Sequence, residues 1–170
     1  MAVSLPEGLV IVDMRPEYWP EVERIYADGI ATGNATFETA TPTWTEFNES
    51  HLPRARLVGL VGARVVGWAA LSPVSRRPVY AGVAEVSVYV DLDQRGRGFG
   101  RALLGALVHA SEGAGIWTLQ ASIFVENGSS LWIHEEAGFR VVGRRERIAQ
   151  REGEWRDTVL LERRSRVVGR

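Results

Sequence analysis

Between residues 94 and 101 the chain reads Gln94-Arg95-Gly96-Arg97-Gly98-Phe99-Gly100-Arg101, with glycines on alternate positions among arginines. Glycine lets a backbone approach a ligand closely, and successive N–H groups entering a helix hold an anion such as a pyrophosphate. A single glycine would need no more than a tight turn; three at a strand-to-helix junction point to a phosphate cradle. It is not the dinucleotide fingerprint Gly-x-Gly-x-x-Gly, because counting from Gly96 ends on Arg101 and counting from Gly98 ends on Leu103. Nor does it follow the first strand of the chain, where a Rossmann domain carries that motif.

Two missing residue types remove whole mechanisms. The chain has no cysteine, which excludes disulfide scaffolds, thiolate metal sites and thiol nucleophiles. All twenty basic residues are arginine, so a phosphate-loop NTPase and a Schiff-base lysine are excluded as well. His51, His109 and His134 lack metal-ligand spacing, and no metal is expected. A net charge of −1 lacks the field of a nucleic-acid binder. The arginines at 144, 145 and 147 and at 163, 164 and 166 are interleaved with acids and read as solvated faces.

The elements that must position the loop follow from periodicity. A chain of 170 residues, 45% apolar and 24% charged, makes one packed domain. No apolar run reaches the ~18 residues of a membrane span, and the first eight residues do not read as a secretion signal. Leu9 to Val12 reads as a strand, and Pro16 with Val22, Ile25, Tyr26 and Ile30 as a helix broken at Gly33-Asn34. A Thr-rich stretch from Thr36 to Thr45, containing Phe37 and Glu38, leads to a short helix that runs to His51. Leu57–Val61 and Val65–Leu71 form a hairpin. In Ala84 to Val90, Val86, Val88 and Val90 alternate with Glu85, Ser87 and Tyr89, giving one apolar and one polar face. The glycine loop and a helix through Leu103, Leu104 and Leu107 come next. A strand from Leu119 to Val125, a helix from Ser129 to Ala137 closed by Gly138, and strands Phe139–Ile148 and Trp155–Glu162 complete the order.

Read as Arg95-x-x-Gly98-x-Gly100, the loop resembles the acyl-CoA loop of the GNAT superfamily of N-acyltransferases, whose pattern is Arg or Gln, two residues, Gly, one residue, Gly or Ala. That family follows the loop with a helix, a strand, and a short helix carrying Asn and ending at Gly-Phe, which matches Asn127 through His134-Glu135 to Gly138-Phe139. The resemblance covers nearly the whole chain. It is nearest to the phosphinothricin and methionine-sulfoximine acetyltransferase group, through Ala35-Thr36-Phe37, the acidic strand start Ala84-Glu85 before Val88-Tyr89-Val90, and the Asn127 to Phe139 block. It implies an α/β (α+β) fold, with a mixed, mostly antiparallel sheet flanked by helices. One acyl-CoA-dependent domain would span residues 1–170, with 1–8 and 164–170 as flexible ends.

The same resemblance implies roles. Acetyl transfer to an amine needs a base for the ammonium, a donor for the oxyanion and a proton for the leaving thiolate. Glu85 matches the base; a solvent-facing strand glutamate is its ordinary alternative. His134 stands where the group also has His, and an imidazolium with a pKa of ~6.5 could donate near neutral pH; a surface or satisfied histidine on a short helix is its alternative. Acetyl-CoA, as co-substrate, would be held by Val88, Tyr89 and Val90, by the loop Arg95, Gly96, Arg97, Gly98, Phe99, Gly100 and Arg101, and by Asn127 and Ser130. Asn127 could equally be a helix cap. Arg76 and Arg77 would fork an acceptor carboxylate, with exposed loop arginines as the alternative, and Phe37 and Tyr80 would wall the amine pocket.

The expected activity is transfer of an acetyl group from acetyl-CoA to the primary amine of a small amino-acid-like molecule. A cytoplasmic homodimer without nucleic-acid or membrane partners is expected alongside. Two other functions share the pattern: acetylation of protein N-termini, and a non-catalytic acyl-CoA-binding module. The presence of both Glu85 and His134 argues against the last, because a binder needs no acid–base pair.

Overall fold

The computed structural model describes residues 4–170, and the part of the expected flexible start that falls on residues 1–3 lies outside them. In chain order the elements are β1 (Leu9–Asp13), α1 (Trp19–Ala31), α2 (Trp44–Ser50), β2 (Leu57–Val61), β3 (Arg64–Pro73), β4 (Val83–Val90), α3 (Phe99–Gly113), β5 (Thr118–Phe124), α4 (Gly128–Glu136), β6 (Arg140–Arg151) and β7 (Glu154–Arg164). The helix expected from Pro16 begins at Trp19, after a turn of 3-10 helix over Pro16–Tyr18. α2 starts on a reciprocal cap: the Thr43 hydroxyl accepts from Glu46 N–H at 3.2 Å, and the Glu46 carboxylate accepts from Thr43 N–H at 2.7 Å.

The strands form one seven-stranded sheet in the order β1-β2-β3-β4-β5-β7-β6. Every neighbouring pair is antiparallel except β4 and β5, which run parallel. This is the mixed, mostly antiparallel α/β architecture expected. The continuous apolar run of β3 is explained by cover on both faces. On one, Leu103, Leu104 and Leu107 of α3 pack against Leu71, Leu119 and Leu161. On the other, Val22 and Ile25 of α1 and Phe47 of α2 pack against Val58 and Trp68.

The polar face of β4 is partly covered: Tyr89 lies 4.8 Å from the Trp68 ring of β3 and 4.9 Å from Tyr26 of α1. One expectation is corrected. The end from residue 164 is not a free tail. Ser165 N–H bonds the Trp117 carbonyl at 2.8 Å and its hydroxyl bonds Glu112 at 2.9 Å, while the Arg164 guanidinium gathers the carbonyls of Trp117, Val168 and Gly169. The tail's own carbonyls are what the arginine binds, so the short polar end folds back instead of remaining solvated.

Candidate active site

The site starts from a break in the sheet. β4 and β5 are paired only at Val83/Thr118, Ala84/Leu119 and Glu85/Gln120; beyond Glu85 they part. From Val86 to Val90, β4 keeps its register with β3 on one side and presents unpaired peptide groups on the other. Such an inner edge needs partners as much as an outer one does. Two cavities open into the wedge, one of about 760 Å³ beside the glycine loop and one of about 300 Å³ around Glu85. They share Ala35, Val88, Tyr89, Asn127 and Ser130 as walls, so they lie side by side along the parted strands.

The loop is held from behind by Asp91, which is 2% exposed. Its carboxylate accepts from Arg24 at 2.9 Å, Arg64 at 2.7 Å and Asp93 N–H at 3.2 Å. Burial alone would raise its pKa, but these hydrogen bonds more than reverse that and keep it below the usual carboxylate range. Gly98 then enters α3 with φ +82°, a left-handed conformation that other residues adopt only under strain. No side chain caps α3, which leaves its first N–H groups open beside the larger cavity. Of the loop residues expected to bind, Arg95, Gly96, Gly98, Phe99, Gly100 and Arg101 line that cavity. Arg97 does not: its guanidinium turns aside to Gln94 Oε1 at 2.6 Å and lies over the Phe99 ring.

In the smaller cavity Glu85 is half-buried and accepts from Gln120 Nε2 at 3.0 Å through one oxygen, leaving the other free. Tyr89 stands between the cavities; burial raises its pKa far above the usual phenol value, so its hydroxyl stays protonated. The approach of α1 to Tyr89 explains a glycine in mid-helix, because a Cβ on Gly29 would fall 2.6 Å from the Tyr89 ring. Asn127 caps α4 by accepting from Ser130 N–H at 3.3 Å, and it donates to the Asn34 carbonyl at 3.2 Å, so the cap also ties down the loop after α1.

His134 reaches the smaller cavity from α4. Its ring is 4% exposed and packs edge-on against Phe139. Nδ1 lies 2.7 Å from the Ser130 carbonyl, which can only accept, so Nδ1 carries the hydrogen and the neutral ring offers a lone pair at Nε2. Burial pushes its pKa below the ordinary value in spite of that bond. The imidazolium expected near pH 7 is therefore corrected to a neutral imidazole.

Phe37 lines the smaller cavity, 4.8 Å edge-on from Phe124. Arg76, Arg77 and Tyr80 line neither cavity. The Arg77 guanidinium lies 5.5 Å over the Tyr80 ring on the exposed turn before β4, so the chain folded singly does not bring this trio to Glu85. Sequence reasoning missed Glu38, Ser122 and Thr158 on the cavity wall. It also missed Arg156, which sits 4.1 Å over Phe124 and bonds the Gly33 carbonyl at 2.9 Å and the Asn34 side chain at 2.8 Å. Only the alternation of β5 and β7 could have pointed to Ser122, Arg156 and Thr158, and alternation does not say which face carries a cavity; Glu38 lies in the loop after α1, where no periodicity applies.

No helix among the described residues is long and apolar enough to cross a membrane. Residues 62–160 match the acetyltransferase (GNAT) domain family. The chain is 32% identical to phosphinothricin N-acetyltransferase of Alcaligenes faecalis, over 88% of this chain and 79% of that protein. It is 33% identical to the L-methionine sulfoximine/L-methionine sulfone acetyltransferase of Pseudomonas aeruginosa over 58% of this chain, a stretch that spans 57% of that relative. Among solved structures, the GNAT superfamily phosphinothricin acetyltransferase from Sinorhizobium meliloti in complex with AcCoA superposes with a TM-score of 0.83 at 26% identity, over 92% of this chain and 88% of that one. With a family match over more than half its length, and with parting strands leading to an uncapped, glycine-entered helix, the chain belongs to the GNAT acetyltransferase family.

Proposed function

We propose that this enzyme moves the acetyl group of acetyl-CoA to the primary amine of a small amino-acid-like acceptor of the phosphinothricin or methionine-sulfoximine type, by direct attack. The observation that carries this reading is the adjacency of two cavities with shared walls, one beside an uncapped helix N-terminus and one lined by the Glu85 carboxylate. The larger cavity fits the donor in chemistry. The open N–H groups at Gly98, Phe99 and Gly100 suit a pyrophosphate, and the unpaired edge of β4 from Val86 to Val90 suits an amide-bearing arm that adds as a strand would. Acetyl-CoA, when bound, supplies a thioester carbonyl activated for attack by an amine.

Glu85 takes the ammonium proton on the oxygen not held by Gln120, directly or through one water. Glu38, a second carboxylate on the wall, adds to a negative potential that favours the cationic end of the acceptor. A backbone N–H of Val88 to Val90 faces the wedge as oxyanion donor. His134 lines the cavity as a neutral ring, whose Nε2 lone pair would accept a hydrogen bond and donate only after taking up a proton. The homodimer belongs to the same proposal, supported by the exposed side chains of Val141, Val142, Ile148 and Trp155 on the β6–β7 margin of the sheet.

The test is a panel of amines incubated with acetyl-CoA and followed by free thiol release. Release with phosphinothricin or methionine sulfoximine, with the N-acetyl product identified by mass, is the expected result. Thiol release that does not depend on any amine of this class would refute the assignment.

A further inference from the structure

We infer that Thr158 of β7 determines acceptor specificity, by hydrogen-bonding an oxygen-bearing group at the end of the acceptor farthest from its amine. This rests on the function proposed above and names the chemistry of the acceptor's other end. Thr158 is 3% exposed and lines the cavity around Glu85, yet its hydroxyl has no hydrogen-bond partner among the described residues. Buried hydroxyls are nearly always paired, and one without a partner is destabilising. Valine would give β7 the same branched shape without that cost, so strand propensity alone does not account for threonine here.

The surroundings place Thr158 on the cavity face of the sheet. On β7 the alternation puts Thr158 on the face of Arg156, whose guanidinium bonds the loop that roofs the cavity. The opposite face, with Leu161, belongs to the core under α3. Across the sheet Thr158 stands opposite Phe124, and Glu85 stands opposite Gln120. Those two β5 positions are four residues apart, roughly 13 Å at the usual strand rise. Glu85 and Thr158 therefore mark two ends of one cavity. An acceptor whose ammonium meets Glu85 carries its side chain toward Thr158, where a hydroxyl donor suits a sulfone, sulfoximine or phosphinate oxygen and has little to offer a thioether or a methyl group.

The experiment compares methionine sulfone with methionine, which differ only at that far end, as substrates of wild type, Thr158→Val and Thr158→Ser. Wild type should favour the sulfone. Thr158→Val should lower kcat/KM for the sulfone roughly 10-fold, the scale of one lost hydrogen bond, mostly through KM, and change that for methionine less than about 2-fold. Its melting temperature should hold or rise, since an unpaired hydroxyl is gone. Thr158→Ser, which keeps the hydroxyl, should keep the preference. The inference is overturned if wild type shows no preference, if Thr158→Val affects both substrates equally, or if Thr158→Ser loses the preference. Wild type that acetylates neither amine overturns the acceptor class proposed above and this inference with it; a failure confined to the variants overturns this inference alone.

Discussion

Replacing Glu85 by glutamine removes a proton acceptor and almost nothing else. The glutamine amide has the same shape, and its oxygen can accept from Gln120 Nε2 as the carboxylate does at 3.0 Å, so the half-buried site keeps its one internal contact. The melting temperature should therefore move by no more than surface substitutions usually do, about 0.5 kcal/mol in stability. The rate should not survive as well: a general base contributes roughly 10²–10⁴-fold, or about 2.7–5.5 kcal/mol of barrier at ~1.36 kcal/mol per tenfold. The deficit should shrink with pH, because the variant still acts on acceptor that arrives deprotonated. The neutral fraction of an α-amine grows about tenfold per pH unit until the pH nears its pKa, which lies below that of a lysine side chain, so the variant should regain roughly 10-fold or more between pH 7.5 and 9.5 while wild type gains far less. Thiol release measured across that range, with saturating acetyl-CoA, gives both slopes. A Glu85→Gln enzyme with the wild-type profile, or one whose loss is independent of pH, refutes the assignment of the base.

The other expectations address the loop, the histidines and the anchor. Gly98→Val forces a branched side chain into a φ of +82° beside the helix N-terminus, and calorimetric titration should show acetyl-CoA affinity weakened by at least ~10-fold; unchanged affinity in a folded variant removes the loop from donor binding. His134→Ala should cost less rate than Glu85→Gln and leave the shape of the kcat profile between pH 7 and 9 unchanged, because the ring is already neutral there; loss of a limb in that range would restore the acid role. Burial holds His51 as well as His134 below the ordinary histidine value. The folded protein then binds fewer protons than the unfolded chain below about pH 6.5, so stability is complete above that pH and is lost as pH falls through the lowered folded values. Urea midpoints from pH 5 to 8 should show this slope, and midpoints flat below pH 6.5 would contradict it. Asp91→Asn should cost about 1–3 kcal/mol in a melting experiment, less than a fully buried ion pair because Arg24 and Arg64 are 44% and 48% exposed and recover water.

The anion loop was legible because glycines on alternate positions are a local signal, and so were the helices and strands on either side. The parting of β4 and β5 was not: Ser87, Val88 and Tyr89 read as an ordinary alternating strand, and the loss of pairing after Glu85 is decided by a neighbour that begins only at Thr118. His134 illustrates a different limit. Its position was readable, but its charge state depends on Phe139 and on the Ser130 carbonyl, neither of which reveals burial in one dimension. Arg76 and Arg77 show a further limit: guanidinium chemistry made them attractive, while in the single chain they line neither cavity and Arg77 lies over the Tyr80 ring. Thr158 carried no signal at all, since a threonine in a strand needs no explanation until its hydroxyl is seen to lack a partner.

The short parallel contact between β4 and β5 divides the sheet into a four-stranded part, β1 to β4, and a three-stranded part, β5, β7 and β6. Backbone hydrogen bonds resist rotation of one strand against the next, and here they clamp the parts only as far as Glu85 and Gln120. Beyond that point the parts are joined by the apolar surface of α3, which packs on Leu71 of one and Leu161 of the other, and by side-chain hydrogen bonds from Asn127, Arg151 and Arg156 to the carbonyls of Asn34, Ile30 and Gly33. Side-chain packing is close but not directional, so it tolerates small changes of angle that a hydrogen-bonded ladder would not. The fold thus places a hinge of three residue pairs beside the Glu85 carboxylate, and the jaw that opens from it can adjust to what it holds without breaking a single strand pair.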